Sequence, residues 1–428
     1  MERIYTTEVP RENGVSVKLA GWVEEIRLLG KLNFVVLRDM KGKAQILVKK
    51  GEVDESLINL IKDLTKESVI SVEGSVKLNE EAPNGFEIVP EKIEVLNKAE
   101  VPLPIDFTGK VNTTPDKRYD WRFLDLRNVR ISSIFKIQSE ITRSFREFFR
   151  NKGFTEFWPP EIIEAAPEGG AELFTVKYFE RDAYLAQSPE LYKELMTGTN
   201  LERVFSIVPV WRAEKHDTTK HLNEIRQMDI EAAFEDQFSI LKYLEDVVKY
   251  IVKNVLEKYP DEIKVLNPDL KVPDAKYLSY EEVVNVLQGE GFDITFGEDI
   301  DPEAEKKLAE IYGKNTLIMI HSWPISLKPF YIMPKDDRLS NGFDVDYGGI
   351  EISSGGQRVH LANVLENQLR SKGLNPEDFK FFLDSLKYGI PPHAGWSIGL
   401  ERLTMVICGL KNIREACLYP RDRNRLVP

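Results

Sequence analysis

Arg212 and Glu214 stand two apart where the apolar run FSIVPVWR (205–212) gives way to the charged stretch AEKHDTTKHLNEI. If that run is a strand, both side chains leave the same face. The face then carries a permanent cation with forked donors, suited to a phosphate, beside an acceptor for the exocyclic amine of a purine. A surface Arg-Glu pair has the same spacing, so both readings stay open. A second cluster lies in FDVDYGGIEISSGGQR (343–358), with Asp344, Asp346 and Glu351 followed by Ser354 and Arg358. A carboxylate with a neighbouring hydroxyl is hard-oxygen ligation suited to Mg²⁺ shared with substrate phosphates, and Arg358 can clamp a carboxylate through two donors. Third, GIPPHAGWSIGLERL sets Gly395 and Gly399 ahead of Arg402, in the first turn of an apolar helix, where close backbone approach and free N–H groups suit a phosphate or nucleotide. Two stretches are weaker. Glu168 beside a glycine pair reads as a loop closing over a ligand or as an ordinary turn. In AQSPELYKELM, Ser188 and Pro189 open a helix that projects Glu190 and Lys193, a lysine that could meet an anion but at a helical position is ordinarily solvated.

The elements that must position these groups follow from periodicity. FSIVPVWR and RQMDIEAAF (226–234) read as a long antiparallel hairpin, whose connection of about a dozen residues is of a length usually functional in compact domains. FDVDYGGIEI alternates as a strand, closed by Ser354 to Arg358. In ISSIFKIQSEITRSFREFFRN, Ile134, Ile137, Ile141, Phe145 and Phe148 form one helix face, and Gly153 ends it. FTEFWPPEII follows, and Pro159 and Pro160 make it an edge or interface strand. A second amphipathic helix spans FSILKYLEDVVKYIVKNVLEKY. Residues 260–325 read as a mostly structural insertion whose one clear helix starts at a capping box, Ser279 to Glu282. Residues 1–97 are β-rich, with five short strand-like runs and a helix between the third and fourth, the order of an OB-fold barrel. There Phe34 is placed to stack on a base, Gln45 to hydrogen-bond one, and Arg27 to meet phosphate. Residues 98–130, with Pro102, Pro104 and Pro115, lack periodicity and read as a hinge. The fold class expected is α+β: a barrel (1–97), the hinge (98–130) and a larger domain (131–428).

Composition narrows the class. A chain of 428 residues with 42% hydrophobic residues supports two or three packed domains. A net charge of −12 argues against a general nucleic-acid coat protein but leaves local basic patches possible. Two cysteines exclude a disulfide framework and a cysteine-based zinc site and fit a reducing cytosol, so a cytoplasmic protein is expected. No apolar run approaches the ~18 residues of a membrane span.

Together these pieces resemble the three motifs of class II aminoacyl-tRNA synthetases: a long helix and a strand ending in proline, an R-x-E hairpin, and a G-x-x-R helix. QSPELYK, RAEKHDTTKHLNE, GIEISSGGQR and PRDRNRLVP are similar to the archaeal and eukaryotic aspartyl type. The resemblance covers essentially the whole chain and implies an enzyme that joins L-aspartate to ATP as aspartyl-adenylate and passes it to tRNA-Asp. It implies Pro160 at a homodimer interface. Arg212 would meet the α-phosphate and the aspartate carboxylate, with Ala213, Glu214, Lys220, His221, Leu222 and the run Gly399, Leu400, Glu401 and Arg402 around ATP. Arg212, Arg402 and Glu351 would stabilise the reacting charge, and Glu351 and Ser354 would hold Mg²⁺. The aspartate pocket would comprise Glu168, Ser188, Glu190, Leu191, Tyr192, Lys193, Arg212, Asp229, Ser354 and Arg358, with Arg358 and Lys193 on the side-chain carboxylate and Asp229 on the ammonium. The barrel would read the anticodon through Arg27, Phe34, Gln45 and Pro83.

Four positions depart from that pattern. Glu190 replaces a usual Gln, and Ile225 replaces an adenine-stacking Phe found in several relatives. Glu24 and Pro83 stand where strict relatives tend to carry Trp and Lys, so aspartylation of tRNA-Asn as well is expected. An asparagine-specific synthetase, a tRNA-independent asparagine synthetase and a non-catalytic nucleic-acid-binding relative are the competing readings.

Overall fold

Five alternating apolar runs near the N-terminus close into a barrel because each offers one face of branched side chains to a shared interior. The strands are β1 (Ser16–Leu29), β2 (Leu32–Arg38), β3 (Lys43–Lys49), β4 (Val69–Leu78) and β5 (Phe86–Asn97), hydrogen-bonded in the closed order β1-β2-β3-β5-β4. Val17, Leu19, Val35, Leu37, Ile46 and Val48 fill the interior. The helix Glu55–Asp63 lies between β3 and β4, as the OB order requires, and Asp54 caps it by accepting the Ser56 N–H at 2.7 Å. The computed structural model describes residues 1–164, 172–215 and 218–428. Its two units are Met1–Pro104 and Ile105–Pro428.

The larger unit contains, in chain order, β6 (Thr155–Glu156), β7 (Ile162–Ile163), β8 (Thr175–Tyr178), β9 (Arg181–Leu185), β10 (Arg203–Trp211), β11 (Glu224–Ala233), β12 (Asp274–Ser279), β13 (Thr316–His321), β14 (Gly342–Tyr347), β15 (Ile350–Gln357) and β16 (His393–Gly399). Among the described residues they form an eight-stranded sheet, β12-β13-β14-β15-β16-β11-β10-β6, and a small sheet, β7-β9-β8. The large sheet is antiparallel except at its two edges, where β12 pairs parallel with β13 and β6 parallel with β10. The proline-bounded segment is thus an edge strand, as its composition requires.

The helix Val129–Asn151 packs against this sheet through Ile134, Ile137, Ile141, Phe145 and Phe149. The last contact differs from the expected Phe148, which is only half-buried, because the stripe takes a step of four at its end. Phe145, Phe149, Phe205 and Trp396 meet with ring centroids 4.8–6.2 Å apart, and the indole N–H of Trp396 donates to the Ile240 carbonyl at 3.0 Å. The expected hairpin forms, with Arg203 to Trp211 paired in register with Ala232 to Glu224. The helix Tyr280–Gly289 starts at the capping box of Ser279 and Glu282.

The run FDVDYGGIEI is two strands rather than one. Gly348 (φ 63°) and Gly349 (φ 78°) make the left-handed turn that joins β14 to β15, a conformation glycine adopts without steric cost. Residues 98–130 contain two short helices, Pro115–Asp120 and Arg122–Asp125. Buried Arg122 pairs with Asp125 at 2.8 Å and donates to the carbonyls of Cys417 (2.9 Å) and Leu418 (3.1 Å), which fastens this segment to the C-terminal part of the unit. In residues 260–325, β12 and β13 extend the large sheet, and Leu317 and Met319 join the main core.

Candidate active site

The loop between β10 and β11 is held open by polar ties rather than by strand pairing. Arg212 N–H donates to the Asn223 carbonyl at 3.0 Å, and Asn223 Nδ2 returns bonds to the carbonyls of Arg212 (2.7 Å) and Glu214 (2.9 Å). The C-terminal segment supports it from outside: Asn223 N–H reaches the Arg421 carbonyl at 2.8 Å, and Arg414 donates to the Thr218 carbonyl at 3.1 Å. This fixing lets a long loop present charge at a defined place. Arg212 and Glu214 both line a cavity of ≈ 310 Å³, together with Lys220, His221 and Leu222. The Nε of Arg212 is buried there without a hydrogen-bond partner.

The opposite wall comes from β15 and β16. Glu351 and Ser354 are three apart, which in an unbroken strand puts them on opposite faces. A bulge removes the conflict: Glu351 pairs with Asp346 and Ser353 with Val345, so Ile352 is the extra residue. Glu351 and Ser354 then both face the cavity. A carboxylate and a hydroxyl on one wall fit Mg²⁺ completed by substrate phosphate and water. Among the described residues no cluster of three or more His, Cys, Asp or Glu would hold a metal unaided. Arg402 donates to the Glu351 carbonyl at 2.9 Å, which aims its guanidinium along this wall. Gly399 and Glu401 also line the cavity, whereas Leu400 belongs to the main core. Glu401 accepts the Arg226 N–H at 3.0 Å, and burial pushes its carboxyl up to about 7.

At the inner end lies a box of buried charges. Lys193, read from sequence as an ordinarily solvated helix residue, is wholly buried. Its ammonium lies 2.9 Å from Asp229, 2.9 Å from Glu190 and 3.7 Å from Glu231. Arg358 grips Glu231 through Nε (3.1 Å) and Nη2 (3.2 Å), reaches Glu190 at 2.6 Å and lies over the Tyr331 ring at 5.5 Å. Burial works against both cations, but the surrounding carboxylates outweigh it and raise both above their ordinary values. Burial raises Asp229 to about 6 despite Lys193, and its Oδ2 is left without a partner.

The structure does not bring every expected residue to this cavity. Leu191 packs in a separate apolar cluster, and Tyr192 faces Phe381, with ring centroids 6.5 Å apart. Ala213 N–H donates to the Glu172 carbonyl at 2.7 Å. Glu168 lies outside the described residues. Sequence reasoning missed Glu231, although its spacing of two from Asp229 on one strand signals a shared face. It also missed Lys328, which lines the cavity, pairs with Asp344 at 2.5 Å and lies over Trp323 at 4.4 Å. Ile225, the expected departure, lines the cavity too.

On the barrel, Arg27 is the cross-strand partner of Phe34, and Gln45 pairs with Val36, two residues along. All three therefore share the outer face, and Phe34 is half-exposed, outside the barrel core. Gln45 is not free: it is buried and donates to Glu87 at 2.8 Å. Glu24 pairs with Lys43 at 2.6 Å, and Asn84, next to Pro83, donates to the Lys43 carbonyl at 2.7 Å. An ion pair, not a bare carboxylate, therefore occupies that corner.

An antiparallel sheet that presents an R-x-E hairpin, a Glu-Ser wall and a G-x-x-R helix around one cavity, in a chain that also carries an OB barrel, is the architecture of a class II aminoacyl-tRNA synthetase. The family described as tRNA synthetases class II (D, K and N) matches residues 114–423, and the OB-fold nucleic acid binding domain matches residues 17–96. The chain belongs to that class II family. It is 47% identical to an aspartate–tRNA(Asp) ligase of Pyrococcus furiosus and 46% identical to an aspartate–tRNA(Asp/Asn) ligase of Methanopyrus kandleri, each alignment covering 99% of both chains. Among solved structures it resembles the asparaginyl-tRNA synthetase of Pyrococcus horikoshii complexed with asparaginyl-adenylate, with a TM-score of 0.95 at 35% identity and full coverage of both chains.

Proposed function

We propose that the chain is a cytoplasmic aspartate–tRNA ligase, which activates L-aspartate with ATP and transfers it to tRNA-Asp and also to tRNA-Asn. The observation that carries the amino-acid assignment is the pair of buried cations, Arg358, which lines the cavity, and Lys193, which lies behind the cavity-lining Glu190. A substrate carboxylate can take the place of a protein carboxylate on both, whereas a carboxamide brings no charge with which to do so. The aspartate α-carboxylate attacks the α-phosphorus and pyrophosphate leaves; the tRNA ribose hydroxyl then attacks the aspartyl carbonyl and AMP leaves. No side-chain nucleophile is needed. Arg212 and Arg402 position the reactants and offset developing charge. Glu351 and Ser354 would hold Mg²⁺, which when bound neutralises phosphate charge. No helix among the described residues is long and apolar enough to cross a membrane.

Charging purified tRNA-Asp and tRNA-Asn with aspartate and with asparagine tests the reading. Asparagine as the preferred amino acid would overturn it. For the tRNA, Pro83 lacks an N–H and Glu24 is tied to Lys43, so the corner has little with which to demand one anticodon base. A preference for tRNA-Asp above about a hundredfold, roughly 2.8 kcal/mol, would refute acceptance of both. The two relatives differ on this point at nearly equal identity.

Phe34→Ala is expected to raise the KM for tRNA, with stacking worth about 1–3 kcal/mol per base, and to spare tRNA-independent pyrophosphate exchange. Equal losses in both assays would indicate a damaged barrel instead. A homodimer is expected to join through the segment around Pro160. Trp158 (79% exposed), Ile162, Tyr178 and Phe179 (76% exposed) leave an apolar surface there, of the kind that marks an interface. Sedimentation should give the dimer mass at micromolar concentration, and a fully active monomer would refute it.

A further inference from the structure

Three carboxylates touch the two buried cations, and a fourth, Glu194, is paired beside them with His393 at 3.3 Å. Two of the carboxylates are locked. Glu231 gives both oxygens to Arg358, and Asp229 gives Oδ1 to Lys193. Glu190 differs. It lies in the first turn of the helix Glu190–Thr197, lines the cavity, and sets one oxygen 2.9 Å from Lys193 and the other 2.6 Å from Arg358. That is the arrangement a substrate side-chain carboxylate would need on the same two cations. Glu190 therefore occupies the carboxylate subsite from within.

A bound aspartate cannot simply be added to this box. Four carboxylates would then share two buried cations, and like charges that close repel strongly. We infer that aspartate binds by counter-ion exchange: its side-chain carboxylate takes the contacts of Glu190 on Lys193 and Arg358, and the Glu190 carboxylate turns to the substrate ammonium. The exchange rests on the aspartate reading above and makes Glu190 a specificity-determining residue. The charge count is conserved only for a ligand that brings both a carboxylate to displace Glu190 and an ammonium to receive it. Asparagine lacks the first. Succinate, a dicarboxylate without the amine, lacks the second.

The test compares aspartate and succinate binding, by calorimetry, in the wild-type chain and in Glu190→Gln, a change of nearly equal volume. In the variant no carboxylate needs displacing, and only the Asp229 oxygen remains for the ammonium. Succinate should tighten, and its affinity relative to aspartate should rise about tenfold or more. A crystal structure of the wild-type chain with aspartate provides a reading that does not depend on the variant folding. It should show Glu190 off both cations and within hydrogen-bond distance of the ammonium. Aspartate bound with Glu190 still on Lys193 and Arg358, or a variant that shifts both ligands equally, would overturn the exchange. If either occurs while the wild-type chain still exchanges pyrophosphate with aspartate, the exchange alone fails. If aspartate supports no pyrophosphate exchange at all, the functional reading fails with it.

Discussion

Arg358→Lys should nearly abolish aspartate-dependent pyrophosphate exchange while ATP still binds. The guanidinium meets two carboxylates at once, with Nε and Nη2 on Glu231 at 3.1 and 3.2 Å and Nη2 on Glu190 at 2.6 Å. The planar fork grips Glu231 with two hydrogen bonds, while Glu190 is held by charge at close range without one. An ammonium on a flexible stem offers one point of charge and cannot reproduce the pair. The variant keeps a positive charge but loses the two-donor grip on Glu231, so a buried carboxylate loses its partner and the charge no longer stands where a substrate carboxylate needs it. Breaking a buried charge pair costs about 3–5 kcal/mol, which corresponds to roughly a hundred- to several-thousandfold in kcat/KM for aspartate. The expected ATP contacts, Arg212 and Arg402, are carried by other segments, so ATP affinity measured without aspartate should change little. Exchange at the wild-type rate would show that Arg358 does not hold the substrate.

The sheet and its long hairpin were legible because period-two alternation and one-sided helix stripes are local signals. The run 205–212 and the stripe from Ile134 to Phe145 needed no knowledge of distant partners. The site was legible only in part. Helical position alone made Lys193 look solvated, and only the family resemblance placed it in the pocket, because Asp229 and Glu231 are brought to it by the fold and not by sequence. Gly348 and Gly349 were a turn signal available in the sequence, but alternation on either side carried the reading through them as one strand. The bulge at Ile352 was beyond reach, because nothing in IEISS announces which residue is extra. Yet that one residue decides whether Glu351 and Ser354 can face the same ligand. Gln45 shows the opposite failure. A polar residue on a strand facing outward read as a base contact, and the structure gives its amide to Glu87.

Gly395 joins the fold to the chemistry, and its replacement is the sharpest structural test. Gly395 is the cross-strand partner of Glu231, between β16 and β11. A Cβ there would lie 2.0 Å from Glu231 Oε2 and 2.3 Å from the Ile230 carbonyl oxygen. The carboxylate could swing aside, but the carbonyl is backbone in the middle of a sheet and can move only if the strands part. Gly395→Ala is therefore expected to lose roughly 1–3 kcal/mol of stability through overpacking. It should also lose activity beyond that, because Glu231 holds Arg358 and a displacement near 1 Å costs about 10²-fold. Gly399→Ala makes the contrast. Its nearest neighbours would be side-chain atoms of Arg402 at 3.7 Å, an ordinary contact, and the residue lines the cavity. That variant should melt like the wild-type chain and lose affinity for ATP alone. Thermal melts paired with pyrophosphate exchange separate the two glycines. A Gly395→Ala chain with unchanged Tm and full activity would show that β11 and β16 separate at no cost, and that the charge box does not depend on their close approach.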